Sequence, residues 1–213
     1  MLKRLVVFCF GVIILAFGIV VNTKTALGVS SISSLPYVLS RTSSLTLGQA
    51  TMAMYIIYIV SQAILLKKLT LKMILQIPFS FLFGGIVDFF DQLLHIVPSN
   101  VFWSLFSLAL AIIVTAFGAY LVVTMDLVFN PPDGIVNTLA QVLNREFGQA
   151  KLFFDCSVVT LSLIISWVFS HHLLGFGIGT VASALFIGRM ISVFNKLLDK
   201  HVKLIGQNSQ KST

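Results

Sequence analysis

Asp133 stands three residues after Asn130 and four before Asn137, and Gln141 follows one helical turn later. One acid and three amides at that spacing offer hydrogen-bond donors, acceptors and a single negative charge to a polar or cationic ligand group. Ser30 and Ser31 occupy places one hundred residues before Asn130 and Pro131, and Lys24 precedes them. This is chemistry for binding and not for bond making. No Ser, Cys or His constellation has catalytic spacing, and Gly175, Gly177 and Gly179 lack the preceding strand of a nucleotide-binding loop. His171 and His172 are neighbours and so cannot share a helical face, which leaves no metal-ligand pattern. The expectation is a protein without catalytic residues, cofactor or metal. Asp155 and Arg189 lie about one turn inside the ends of apolar runs and are expected to form a structural ion pair between neighbouring helices. Asp88 and Asp91, three apart, read as a hydrated helix end.

The elements that must position these residues are set by composition. Of 213 residues 57% are hydrophobic and 10% charged, with a mean hydropathy of +1.00. Soluble domains carry about 25% charged residues, so the chain is an integral membrane protein whose first partner is the lipid bilayer. The net charge of +7 does not imply nucleic acid, because the basic residues sit at the ends of apolar runs. Cys9 and Cys156 lie within such runs and are expected to be small core residues. A bilayer core of about 30 Å needs about 20 apolar residues. Leu5–Val21, Leu47–Leu66, Leu71–Leu94 and Val101–Met125 meet that requirement. The long uncharged run from Cys156 to Gly188 must fold back, at His171-His172, into spans near Leu152–Ser170 and Leu173–Val193. Six spans result, all-α.

Two stretches one hundred residues apart read alike. Ala16-Phe17-Gly18 recurs as Ala116-Phe117-Gly118, Leu27 as Leu127, Leu39 as Leu139, and Gly48-Gln49-Ala50 as Gly148-Gln149-Ala150. A further echo pairs Gly84, Phe90, Leu93 and Leu94 with Gly188, Phe194, Leu197 and Leu198. The first span matches the interior of the fourth, which argues that Leu5–Val21 is a retained span and not a cleaved signal peptide. With the N-terminus in the cytoplasm, all but two of the 14 basic residues fall inside, Lys24 and Arg41 being the exceptions. That bias places both termini in the cytoplasm. Three spans per half make the halves, residues 1–98 and 99–200, cross in opposite senses, with a polar tail over 201–213. Inverted three-helix repeats are a transporter architecture, with sites where the repeats meet.

Each half carries a short amphipathic segment after its first span. Ile32, Leu35, Val38 and Leu39 fall on one face in the first, and Ile135, Val136, Leu139, Val142 and Leu143 in the second. Pro131-Pro132-Asp133 is a good helix start. Both segments are expected to be short helices, either resting at the headgroups or re-entrant and lining a cavity. Ala26-Leu27-Gly28, the short helix, Leu47-Gly48-Gln49-Ala50 and the Asn130-Pro131-Pro132-Asp133-Gly134 turn resemble the YczE/YyaS/YitT family of bacterial integral membrane proteins. The first copy departs from it, with Val29-Ser30-Ser31-Ile32-Ser33 lacking proline and acid. The resemblance implies a multi-pass protein of the bacterial plasma membrane. The functional expectation is a transporter-like protein that binds or moves a small solute. The alternatives are a substrate-binding subunit of an ATPase-driven uptake complex and a non-transporting membrane partner.

Overall fold

The computed structural model describes residues 2–95 and 97–207, with side chains as far as Leu198. Lys200, Lys203 and Lys211, part of the inner basic count, lie outside the described side chains, and so does the polar tail, whose backbone is described only as far as Gln207, in helix. Among the described residues there are eight α-helices and no strand: α1 Leu2–Thr23, α2 Ser31–Thr42, α3 Leu47–Leu66, α4 Leu71–Leu93, α5 Val101–Met125, α6 Pro131–Val142, α7 Phe147–Ser170 and α8 Ile178–Gln207. Six of them are long and apolar enough to cross a membrane. The two short segments are helices, α2 and α6, of 12 residues each and one hundred residues apart.

The helix ends follow local chemistry. Thr46 and Gln49 form a reciprocal capping box at the start of α3, the Thr46 hydroxyl and the Gln49 carbonyl oxygen each accepting from the other's backbone N–H at 3.1 Å. Asn100 accepts from the Trp103 N–H at 3.0 Å to open α5. The last long helix begins at Ile178, five residues later than expected from hydropathy. Ser166 holds the intervening loop, its hydroxyl accepting from the Leu174 N–H and donating to the His172 carbonyl. Gly175, at φ +71°, then turns the chain so that its carbonyl accepts from the Val29 N–H at 2.8 Å.

The centre of the bundle is the crossing of α1 and α5, the most extensive helix pair in the molecule. Glycines make it close. A methyl group at Gly18 would collide with Thr115, one at Gly118 with the Leu15 backbone, and one at Gly11 with Leu121. Gly18 and Gly118, and Leu15 and Thr115, are each one hundred positions apart, so the contact is reciprocal. Ala16 and Ala116 are both fully buried between them. The aromatic contacts are reciprocal too. Phe17 meets Phe90 at 5.3 Å between α1 and α4, and Phe117 meets Phe194 at 5.3 Å between α5 and α8. Each short helix is seated between α3 and α7, α2 more extensively against α7 and α6 more extensively against α3. Ala26 at φ 60° and Asp126 at φ 44° turn the chain into them at matching places.

One pair breaks the correspondence. α3 and α4 pack closely, with Gly48 against the Gly84 carbonyl and the Asp88 carboxylate. Their counterparts α7 and α8 make no comparable contact, and a methyl group at Gly148 or Gly188 would meet nothing within 4 Å among the described residues. Cys9 and Cys156 are exposed, which corrects their assignment to the core. Each sits on a helical face turned away from its neighbours, where a small apolar side chain is suited to lipid.

Overpacking a close crossing costs about 1–3 kcal/mol. Gly18→Val and Gly118→Val are therefore each expected to lower the melting temperature of the detergent-purified protein by several degrees, with Gly188→Ala leaving it nearly unchanged. Equal effects in a thermal-melt series would contradict the crossing described.

Candidate functional site

Polar residues are buried where the short helices meet the opposite half. Along α2, Ser30, Ser31, Ser33 and Ser34 are all buried. Their hydrogen bonds close among themselves and with α1: the Ser30 N–H donates to Asn22 Oδ1 at 2.7 Å, the Ser30 hydroxyl to Ser33 Oγ at 3.0 Å, and the Ser34 hydroxyl to the Ser31 carbonyl at 2.7 Å. Asn22 in turn donates to Ser183 Oγ of α8 at 3.3 Å. A buried polar group with its partners in place is structurally stable and has little left to offer a ligand.

Around α6 the arrangement differs. Pro131 and Pro132 fill its first two positions and contribute no N–H, so the helix start is poor in donors. Asn130, 8% exposed, holds its side-chain Oδ1 buried without a hydrogen-bond partner, and its side chain lies against Asp133 and against Tyr55 of α3. Gly134 lets α6 approach Gln62 of α3, which exchanges amide hydrogen bonds of 3.0 and 3.4 Å with Gln76 of α4. Both glutamines are 2% exposed. From α7, Phe154 meets the Tyr58 ring at 5.3 Å, and the Asp155 charge acts on Tyr58 and Asp133. The Tyr58 hydroxyl and Asp155 Oδ1 are buried and unpartnered as well. Burial holds the Asp133 carboxyl above the ordinary carboxylate range. The Lys151 ammonium works against that rise, the Asp155 carboxylate adds to it, and Asn130 opposes it.

The residues singled out in the sequence thus separate. Asn130 and Asp133 come together. Asp133 and Asn137 are both partly buried and Gln141 is exposed; of the three only Asp133 lies against Asn130. Lys24 is taken up by Asp91, Nζ to Oδ1 at 2.6 Å, and Ser30 and Ser31 by the α2 network. The ion pair expected between Asp155 and Arg189 is replaced by one between Asp155 and Lys151 at 3.4 Å, four residues apart on α7. The reason is geometric: α7 and α8 do not pack together, and Arg189 lies exposed over the Phe186 ring at 5.8 Å. Asp88 accepts from the Thr46 hydroxyl and the Gly48 N–H, both at 2.6 Å, and so caps α3. A cavity of about 140 Å³ beside it, lined by Tyr37, Arg41, Asp88 and Asp91, has its charges matched by these contacts and by Arg41 over the Tyr37 ring at 5.2 Å.

A family described as "Family of unknown function (DUF6198)" matches residues 2–196, nearly the whole described chain. The chain belongs to this family. No curated protein and no solved structure matches it. In this DUF6198 member, sequence reading alone did not reach Gln62, Gln76, Tyr55 and Tyr58. Gln62 and Gln76, in otherwise apolar spans, carried the one available signal, since an amide at membrane depth calls for a partner.

The raised Asp133 ionisation fixes a pH dependence. Stability from keeping the group neutral is full below the unfolded value of about 4 and is lost as pH rises through the higher folded value. In buffers free of alkali cations, Asp133→Asn is expected to melt higher than the parent at pH 8 and to flatten the parent's decline as pH rises above about 4. Parallel profiles for the two proteins would show that the Asp133 carboxyl is not shielded from solvent.

Proposed function

We propose that this membrane protein is a transporter of a small solute, built from two three-span halves, residues 1–98 and 99–200, that cross the bilayer in opposite senses. One observation carries the reading: each half seats its short helix against the second long helix of the other half, α2 on α7 and α6 on α3. A short helix held between long ones has its polar start at membrane depth, where irregular backbone is tolerated only when buried in protein or facing water. Reciprocal contacts at Gly18 and Gly118, and at Phe17 and Phe117, favour a two-fold relation between the halves.

The unequal helix pairs supply the motion. In an inverted repeat the two halves exchange conformations when access alternates, so one half is closed while the other is open. The α3–α4 pair, joined through Gly48, Gly84 and Asp88, is the closed one and lies toward the outer face. The α7–α8 pair, apart at Gly148 and Gly188, is the open one and lies toward the cytoplasm. No part of the sequence has the pattern of an ATP-hydrolysing site, so a gradient or a partner drives the cycle. The basic bias favours a bacterial plasma membrane with both termini inside, in keeping with the resemblance to the YczE/YyaS/YitT proteins.

The premise of opposite crossing is testable in cells. In a variant lacking Cys9 and Cys156, Ser99→Cys is expected to react with an impermeant maleimide from outside, and Lys68→Cys and Asn144→Cys only after permeabilisation. Labelling of Lys68→Cys in intact cells would overturn the reading.

A further inference from the structure

Four carboxylates at helix contacts have a close ion-pair or hydrogen-bond partner. Asp88 takes an N–H and a hydroxyl, Asp91 pairs with Lys24, Asp126 with Lys72 at 3.6 Å and Asp155 with Lys151. Asp133 has no ion pair among the described residues, only the Asn130 side chain against it and the Lys151 charge at longer range. It lines a small cavity with Asn130, Asp126, Val122, Val128 and Phe129, and the unpartnered Oδ1 of Asn130 belongs to the same lining residue. The cavity measures about 10 Å³, the lower limit for one water-sized particle. An organic solute does not fit in it. An anion is excluded by Asp133 and by the two prolines that strip the helix start of donors. The groups on offer are oxygens, two carboxylates and an amide carbonyl, which are the ligands of hard cations. A divalent ion takes six or more oxygen ligands and several charges, whereas Lys72 and Lys151 already answer Asp126 and Asp155, leaving one negative charge.

We propose that Asn130 and Asp133, with Asp126 at the rim, form a binding site for one dehydrated alkali-metal cation, sodium being the probe. Asn130 supplies a neutral oxygen already in place, and Asp133 the compensating charge. The lining residues all come from α5, α6 and the turn between them, so a bound cation sits where α5 passes into α6, with Tyr55 of α3 against the far side of Asn130. Resting on the transporter reading, the site would hold the coupling ion; as a binding site it stands without that reading.

The experiment is a thermal-melt titration of the detergent-purified full chain at pH 8 with sodium, potassium or N-methyl-D-glucamine chloride at constant ionic strength. A saturable rise of about 3 °C or more with sodium or potassium over the organic cation is expected, as binding to the folded state alone requires. The rise should vanish in Asp133→Asn and shrink in Asn130→Ala, and persist in Asp91→Asn, whose carboxylate lies at the other cavity. Because each variant is compared with itself across salts, a lower starting stability does not blur the result. Identical melting in all three salts, with or without a dependence on pH, would overturn the proposal, as would a rise retained in Asp133→Asn. A cation response in a protein whose α7–α8 separation never changes would leave the site standing and remove the transport reading.

Discussion

The close approach of α1 and α5 is the constraint on which the remaining structure depends. Within a bilayer apolar side chains gain little by leaving lipid, so helices associate where their backbones can come near enough for dense van der Waals contact. Gly18 and Gly118 remove the side chains that would hold the two helices apart, and Leu15 and Thr115 fill the space so made. Because each glycine faces the other helix at an equivalent height, the contact fixes both the distance and the relative placement of the two halves. The ends of α1 and α5 then determine where the chain turns at Ala26 and Asp126, and so where α2 and α6 enter the opposite half.

That placement has an electrostatic consequence. Both short helices begin with polar groups in a region where an unsatisfied hydrogen-bonding group is costly. In α2 serines answer one another and Asn22, and the region is closed. In α6 the prolines, Asn130 and Asp133 leave acceptors in excess, balanced only partly by Lys151. The two short helices therefore differ at matching places, one inert at its start and the other electronegative. The same division between a tight and a loose copy recurs in the helix pairs, where Asp88 caps α3 and binds α4 to it, but the counterpart of Asp88 in the later echo, Ser192, donates to the Gly188 carbonyl of its own helix at 3.1 Å.

Much of this was legible in the chain. Hydropathy and length give six spans, because a bilayer of fixed thickness imposes a length on its helices, and the recurrence of Ala-Phe-Gly marks the α1–α5 crossing. The proline-acid start locates α6 to the residue. Partner choice was not legible. Asp155 chose Lys151 over Arg189 because α7 and α8 stand apart, and no local pattern records a separation between distant helices. Gln141 shares the helical spacing of Asp133 but is exposed, a matter of where α6 parts from α3 and α7. The cysteines were misplaced for a related cause: inside a membrane protein an apolar residue is as much at home facing lipid as facing the core.

The central claim is that the two halves occupy unequal, exchangeable conformations about the α1–α5 crossing. Spin labels at Gln49 and Phe89 on α3 and α4, and at the equivalent Gln149 and Val193 on α7 and α8, all on exposed positions, measure it in reconstituted membranes by pulsed electron double resonance. Exchange predicts two distance populations for each pair, the short distance of one matching the short distance of the other, with their weights changing in opposite directions across solution conditions. A single unchanging distance at both pairs, short for α3–α4 and long for α7–α8, would contradict it.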